Sequence, residues 1–102
     1  MNYISSSGIL RIDNLRDVQD AVWPARSKYY NIGIELGVPD GDLDAFEKSN
    51  SYRVDGCFMD VLKHLLRRSK GLSQQKLADA LASPPVGFGN LADNIRCKRF
   101  SD

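Results

Sequence analysis

Few residues in this chain have the type and spacing for covalent chemistry. There is one histidine, His64, and two cysteines, Cys57 and Cys97. A Cys–His nucleophile pair would have to form from Cys57 and His64. On a helix, seven positions place them near one face but about 10.5 Å apart along the axis. Such a pair needs roughly 3 Å, so His64 reads as a surface histidine. Cys57, set in the apolar pattern Val54-Asp55-Gly56-Cys57-Phe58-Met59, reads as a small buried hydrophobe. A zinc site needs about four close ligands with paired spacing, and these three residues do not supply it. Asp40, Asp42 and Asp44 alternate as calcium ligands do, but the glycine at the sixth position and the glutamate at the twelfth are missing. Gly87-Phe88-Gly89-Asn90-Leu91-Ala92 fits the dinucleotide pattern G-x-G-x-x-G/A. That motif works only after a strand, which lets the loop offer a pyrophosphate to the helix start. Here Pro84-Pro85 precedes it, and no βαβ unit surrounds it. The sequence therefore predicts no enzyme, no cofactor and no metal.

The chemistry that remains is charge. The chain has 102 residues, 42% hydrophobic and 26% charged, the balance of one globular domain with no disordered bulk. A domain of this size buries roughly 60–70% of its unfolded surface, enough for one core without staples. Net charge is only +1, yet residues 1–60 hold six Lys/Arg against ten Asp/Glu, while residues 61–102 hold eight against three. Acidic side chains crowd at Asp40, Asp42, Asp44 and Glu47, and basic ones at Lys63, Arg67, Arg68 and Lys70. Such asymmetry invites an acidic partner for the basic half, or a contact between unlike faces of two molecules. A folded chain that merely interleaves the charges is the plain alternative.

Hydrophobic spacing supplies the elements that must hold these clusters. Residues 1–13 carry no sustained period and are expected to form a loose lead. Leu15, Val18 and Val22 recur at helical spacing behind Asn14, a plausible N-cap, and Pro24 ends or kinks that helix. Tyr29, Ile32 and Leu36 line a second helix that Gly37 and Pro39 stop. A short acidic helix follows, burying Leu43 and Phe46, with its aspartates at the favourable end of the helix dipole. The clearest pattern is the fourth, where Val54, Cys57, Phe58, Val61, Leu62, Leu65 and Leu66 make an unbroken apolar stripe. Arg67, Arg68 and Lys70 close it and Gly71 is expected to stop it. A fifth helix starts at a Ser73 cap and packs Leu77 and Leu81. After a Pro/Gly loop, a sixth carries Phe88, Leu91, Ala92 and Ile95, and residues 97–102 form a basic tail. Six short helices without period-two alternation predict an all-α bundle over residues 14–96. No apolar run approaches the roughly 20 residues of a membrane span. The first residues lack a basic start and an apolar core, so no signal peptide is expected. The setting expected is cytoplasmic or nuclear, with both thiols reduced and a disulfide as the alternative.

Two resemblances bear on function. Gly71-Leu72-Ser73-Gln74-Gln75-Lys76-Leu77-Ala78-Asp79-Ala80-Leu81 resembles the first helix of repressor-type helix-turn-helix domains, and the basic tail agrees with it. The next helix, however, offers Phe88, Leu91 and Ala92 where base-reading polar residues belong. A net charge of +1 is also a thin footprint for phosphate binding. DNA binding is therefore the alternative reading. Broader in reach is a resemblance to death domains. Tyr29-Tyr30-Asn31-Ile32-Gly33-Ile34-Glu35-Leu36-Gly37 is similar to that family's W-x-x-I/L-G/A-x-x-L-G helix, and Leu43 with Phe46 to its third. Cys57 through Leu66 resembles C-x-x-x-L-L-x-x-W-L, Leu77-Ala78-Asp79-Ala80-Leu81 resembles L-x-x-A-L, and Leu91-Ala92-Asp93-Asn94-Ile95 resembles the closing L-A-x-x-I/L. Tyr29, Leu65 and Gln74 stand where the family often has tryptophan, which marks a divergent member. The resemblance implies a six-helix antiparallel Greek-key bundle and non-catalytic, homotypic binding to other death-fold proteins in apoptotic or innate-immune signalling in the cytoplasm. It also implies acidic patches on the second and third helices meeting basic patches on the first and fourth of a neighbour. Asp40, Asp42, Asp44 and Glu47 would then dock against Lys63, Arg67, Arg68 and Lys70. Because the two patches differ, such a contact is heterologous and propagates into rings or filaments.

Overall fold

A computed structural model describes residues 8–100, and the chain over them is mostly helical. Leu15–Val22 forms α1, Tyr29–Glu35 α2, Asp40–Ser49 α3, Val54–Leu66 α4, Gln74–Ala82 α5 and Gly89–Cys97 α6. The α4 stripe explains the architecture. Cys57, Phe58, Val61, Leu62, Leu65 and Leu66 are all buried, and α4 packs against α1, α2 and α3. Around it gather Val18 and Val22, Ile32, Leu43, Leu77 and Leu81, and Ile95, one or two from each remaining helix. Only Val54, at the head of the stripe, stays exposed. α5 and α6 pack chiefly on each other. The Ser73 hydroxyl caps α5 as its sequence suggests, accepting the Lys76 backbone N–H at 3.3 Å.

The helix ends show where local signals win and where they lose. At the end of α2, Gly37 takes a left-handed φ of +85°. The Val38 N–H then reaches back to the Gly33 carbonyl at 2.8 Å and the Gly37 N–H to Ile34 at 3.1 Å, a Schellman closure. α3 closes the same way, the Tyr52 N–H donating to Glu47 at 2.7 Å and the Ser51 N–H to Lys48 at 3.3 Å. Here, though, no glycine is present. Ser51 and Tyr52 hold φ of 53° and 61°, at roughly 1–2 kcal/mol each for a residue with a Cβ. Asn50 fixes this turn by donating from Nδ2 to the Phe46 carbonyl and to Asp60 Oδ2, both at 2.8 Å.

Four sequence expectations need correction. The lead expected to be loose over 1–13 is built into the fold from Ile9: Ile9–Leu10 (β1) pairs antiparallel with Leu72–Ser73 (β2), Ile9 opposite Ser73 and Leu10 opposite Leu72. Burying Leu10 in the core holds it there, and residues 1–7 lie outside the described residues. Asn14 stands at the N-cap position of α1, but its side chain makes no capping bond there. Its Oδ1 accepts the Arg11 backbone N–H at 2.9 Å, fixing a 3-10 turn over Ile12–Asn14. The Pro24 expectation holds: α1 ends at Val22, and Trp23–Lys28 continues as a 3-10 helix with the proline in its first turn, where its missing N–H costs nothing. Gly71 does not stop α4, which already ends at Leu66. Gly71, at φ +69°, instead lets β1 cross closely, since a Cβ there would sit 2.6 Å from the Leu10 carbonyl oxygen. The tail expected over 97–102 begins inside α6, and Phe100 packs back on the core, while residues 101–102 lie outside the described residues. Among the described residues, no helix is long and apolar enough to cross a membrane.

Candidate protein-interaction surface

α3 starts behind Pro39, so Asp40 and Asp42 fall in its first turn, where the helix dipole favours carboxylates. Asp40 and Asp44 are exposed, and Asp42 and Glu47 half-exposed. Two neighbours on α2 face this acidic edge. The Tyr29 hydroxyl donates to Glu47 Oε2 at 2.7 Å and the Tyr30 hydroxyl to Asp44 Oδ1 at 3.3 Å. Burial, then the bond to Glu47, holds the Tyr29 phenol well above its ordinary range. Desolvation, then the charges of Asp44 and Asp40, raises Tyr30. Both rings therefore stay protonated donors.

The basic cluster splits. Lys63 and Arg67, one helical turn apart, line a shallow groove of about 460 Å³ with Phe46, Asp60, His64 and Arg68. Arg68 also turns inward. Its Nη1 donates to the Leu36 carbonyl at 2.8 Å, capping the end of α2. Lys70 lies beyond α4, in a larger cleft of about 680 Å³ whose lining includes Glu35, Leu36, Arg68, Leu72 and Lys76. Among the described residues, ion pairs join Arg26 to Asp55 (3.4 Å) and Arg96 to Asp79 (3.2 Å) and Asp93 (2.9 Å). None joins Asp40, Asp42, Asp44 or Glu47 to Lys63, Arg67, Arg68 or Lys70. The acidic cluster on α3 and the basic one at and beyond the end of α4 thus belong to segments of two helices that pack together, yet do not neutralise each other by ion pairing within the molecule.

The residues with chemical potential take structural places. Cys57 is fully buried and its Sγ donates weakly to the Phe46 carbonyl at 3.8 Å. Burial raises its thiol pKa, partly offset by the Tyr29 hydroxyl, so it is a poor nucleophile. His64 lies edge-on to the Phe46 ring, 6.1 Å between centroids. No hydrogen bond joins Cys57 to His64 among the described residues. Both cysteines are free thiols, Cys97 at the surface.

Comparison with protein-family models, curated proteins and solved structures finds no match. Function must be argued from this surface itself. The α5–α6 pair bears on the nucleic-acid alternative. Gln74 Nε2, at the start of α5, donates to the carbonyls of Ile95 (2.6 Å) and Lys98 (2.7 Å) at the end of α6. The start of one helix meeting the end of the next makes an antiparallel hairpin, whereas DNA-reading helix-turn-helix pairs cross at roughly 90–120°. Two surface features escaped the sequence reading. One is the inward turn of Arg68. The other is Tyr52, 62% exposed on its left-handed turn, beside exposed Val54. The run Ser49-Asn50-Ser51-Tyr52 signals a turn, but nothing local announces its handedness.

Proposed function

We propose that this chain is a non-enzymatic protein–protein interaction module of the death-fold type, a six-helix Greek-key bundle serving homotypic signalling contacts. One observation carries the reading. Four carboxylates on α3 and the Lys63–Arg67 groove on α4 lie on one domain without an ion pair between them. Unlike patches on one molecule suit a second molecule bearing the same arrangement, in a heterologous contact. Partners on this reading are other death-fold domains, and a homo-oligomer forms through the same pairing. The contact is electrostatic at its rim, so it steers association and weakens as salt rises.

The test compares sedimentation of the wild type and Lys63→Glu/Arg67→Glu with a candidate death-fold partner, at low and high salt. Arg68 is left intact because it caps α2. Association that falls with salt and disappears in the double variant supports the proposal. Association indifferent to both overturns it, as does a wild type that binds no death-fold domain.

A further inference from the structure

Lys63 and Arg67 do not line their groove alone. His64, the one histidine of the chain, stands in the same lining with Phe46, Asp60 and Arg68. Its ring meets the Phe46 ring edge-on, 6.1 Å between centroids and 63° between planes, so α3 supplies a wall that orients the imidazole. α3 contributes no charged residue to the lining. Lys63 and His64 both lie in the last turn of α4, where the helix dipole favours positive charge.

The other two charged groups of the lining are already engaged. Arg68 donates from Nη1 to the Leu36 carbonyl at 2.8 Å, and Asp60 Oδ2 accepts from Asn50 Nδ2 at 2.8 Å. Lys63, His64 and Arg67 take part in no ion pair among the described residues. Arg67 follows Lys63 by four positions and His64 by three, the two spacings that make neighbours on a helix surface. A carboxylate entering here meets an ammonium, a guanidinium and an imidazole together. Of these side chains, only an imidazole ordinarily changes charge between about pH 5 and about pH 8. Neutral, it offers a single N–H; protonated, it offers both ring nitrogens as donors and a full positive charge.

We propose that His64 is the proton-sensitive third cation of this groove, so that docking of an acidic partner face tightens as pH falls from about 8 to about 6. This regulation belongs to the docking contact proposed above and rests on it. The coupling is reciprocal: a bound carboxylate holds the proton on His64, and the proton holds the carboxylate. A single charge contact within reach of water sets its size, about 2–5-fold in affinity.

Isothermal titration calorimetry of the full chain with a short oligo-aspartate peptide, at low salt and at about pH 6 and about pH 8, tests this. Aspartate side chains ordinarily stay ionised at both, so the peptide adds no pH dependence of its own. The wild type should bind about 2–5-fold more tightly at the lower pH. His64→Gln should bind equally at both, at the weaker value of the wild type, and Lys63→Glu/Arg67→Glu should bind at neither. Circular dichroism establishes that each variant is folded. A second readout needs no variant. The single imidazole gives one Cε1–H proton resonance, and its titration in the wild type should move to higher pH when peptide is bound. Equal wild-type affinity at the two pH values overturns the proposal. So does a pH dependence that survives His64→Gln, or an imidazole titration that the peptide leaves unmoved. In each of those cases, binding that is lost in Lys63→Glu/Arg67→Glu leaves the docking groove itself standing. A peptide that does not bind the wild type, or binds the double variant equally well, removes the groove as an acidic docking site and overturns both readings.

Discussion

Arg67 and Arg68 are adjacent in sequence and identical in type, yet the structure assigns them different work. Arg67 is exposed at the mouth of a groove. Arg68 donates to the Leu36 carbonyl at 2.8 Å, one of the last acceptors of α2. It also brings its second terminal nitrogen to 3.6 Å from where a Gly37 Cβ would stand. A hydrogen bond with a charged donor contributes about 1.5–3 kcal/mol net. Arg68 is half-exposed, and water can replace part of the bond. Arg68→Ala is therefore expected to lose about 1–2 kcal/mol, while Arg67→Ala stays within about 0.5 kcal/mol of wild type, as surface substitutions do. For a domain of this size each kcal/mol corresponds to about 4–8 °C in Tm. Thermal and urea unfolding of the two single variants, followed by circular dichroism at constant salt, measures the difference. Arg68→Lys should recover only part of it, because an ammonium on a flexible stem cannot reproduce the guanidinium geometry. Equal losses in the two alanine variants, or a larger loss at Arg67, would refute the capping role. Arg68 would then return to the docking surface.

Two further outcomes follow from packing and protonation. Tyr29→Phe removes the bond to Glu47 and should cost about 1 kcal/mol at pH 8. The folded phenol titrates above its ordinary value of about 10, so its contribution is complete below that pH and drains as pH rises toward the folded value. Urea midpoints should show the gap between wild type and variant narrowing or reversing by about pH 11, and a constant gap contradicts the assignment. Gly33→Ala would place a Cβ 2.8 Å from Cδ2 of fully buried Leu43. Overpacking of about 1–3 kcal/mol then outweighs the gain of up to about 1 kcal/mol from helix propensity, and a stabilised variant would show that α2 and α3 can part without cost.

What the sequence disclosed depended on how local each cause is. The α4 stripe was legible because thirteen residues repeat one amphipathic period and the partners need only be apolar. The Ser73 cap and the Gly37 stop were legible for the same reason, their bonds closing within a few residues. The strand pairing of Ile9–Leu10 was not, since its partners lie more than sixty positions away. Nor was the early end of α4, where the Arg68 side chain turns to Leu36 across 32 positions. At the candidate surface the charges themselves were plain. Their sorting was hidden, because Lys63 and Arg67 share a groove while Lys70, only three residues on, falls in another. Tyr52 gave no signal, for the handedness of its turn is imposed by Asn50 and Gly56, not by its own type.

The short ladder between Ile9–Leu10 and Leu72–Ser73 also bears on how the molecule comes into being. During synthesis the amino-terminal strand emerges first, yet it can find no mate until the segment opening α5 has left the ribosome. Four helices lie between the two strands in sequence, and loop closure over that distance is slow compared with helix formation. Closing this ladder spans more than sixty residues, a longer loop than any single helix needs. In the finished protein it is the seam where unravelling should begin, with the amides of Ile9 to Leu10 trading hydrogen for deuterium ahead of those in α4.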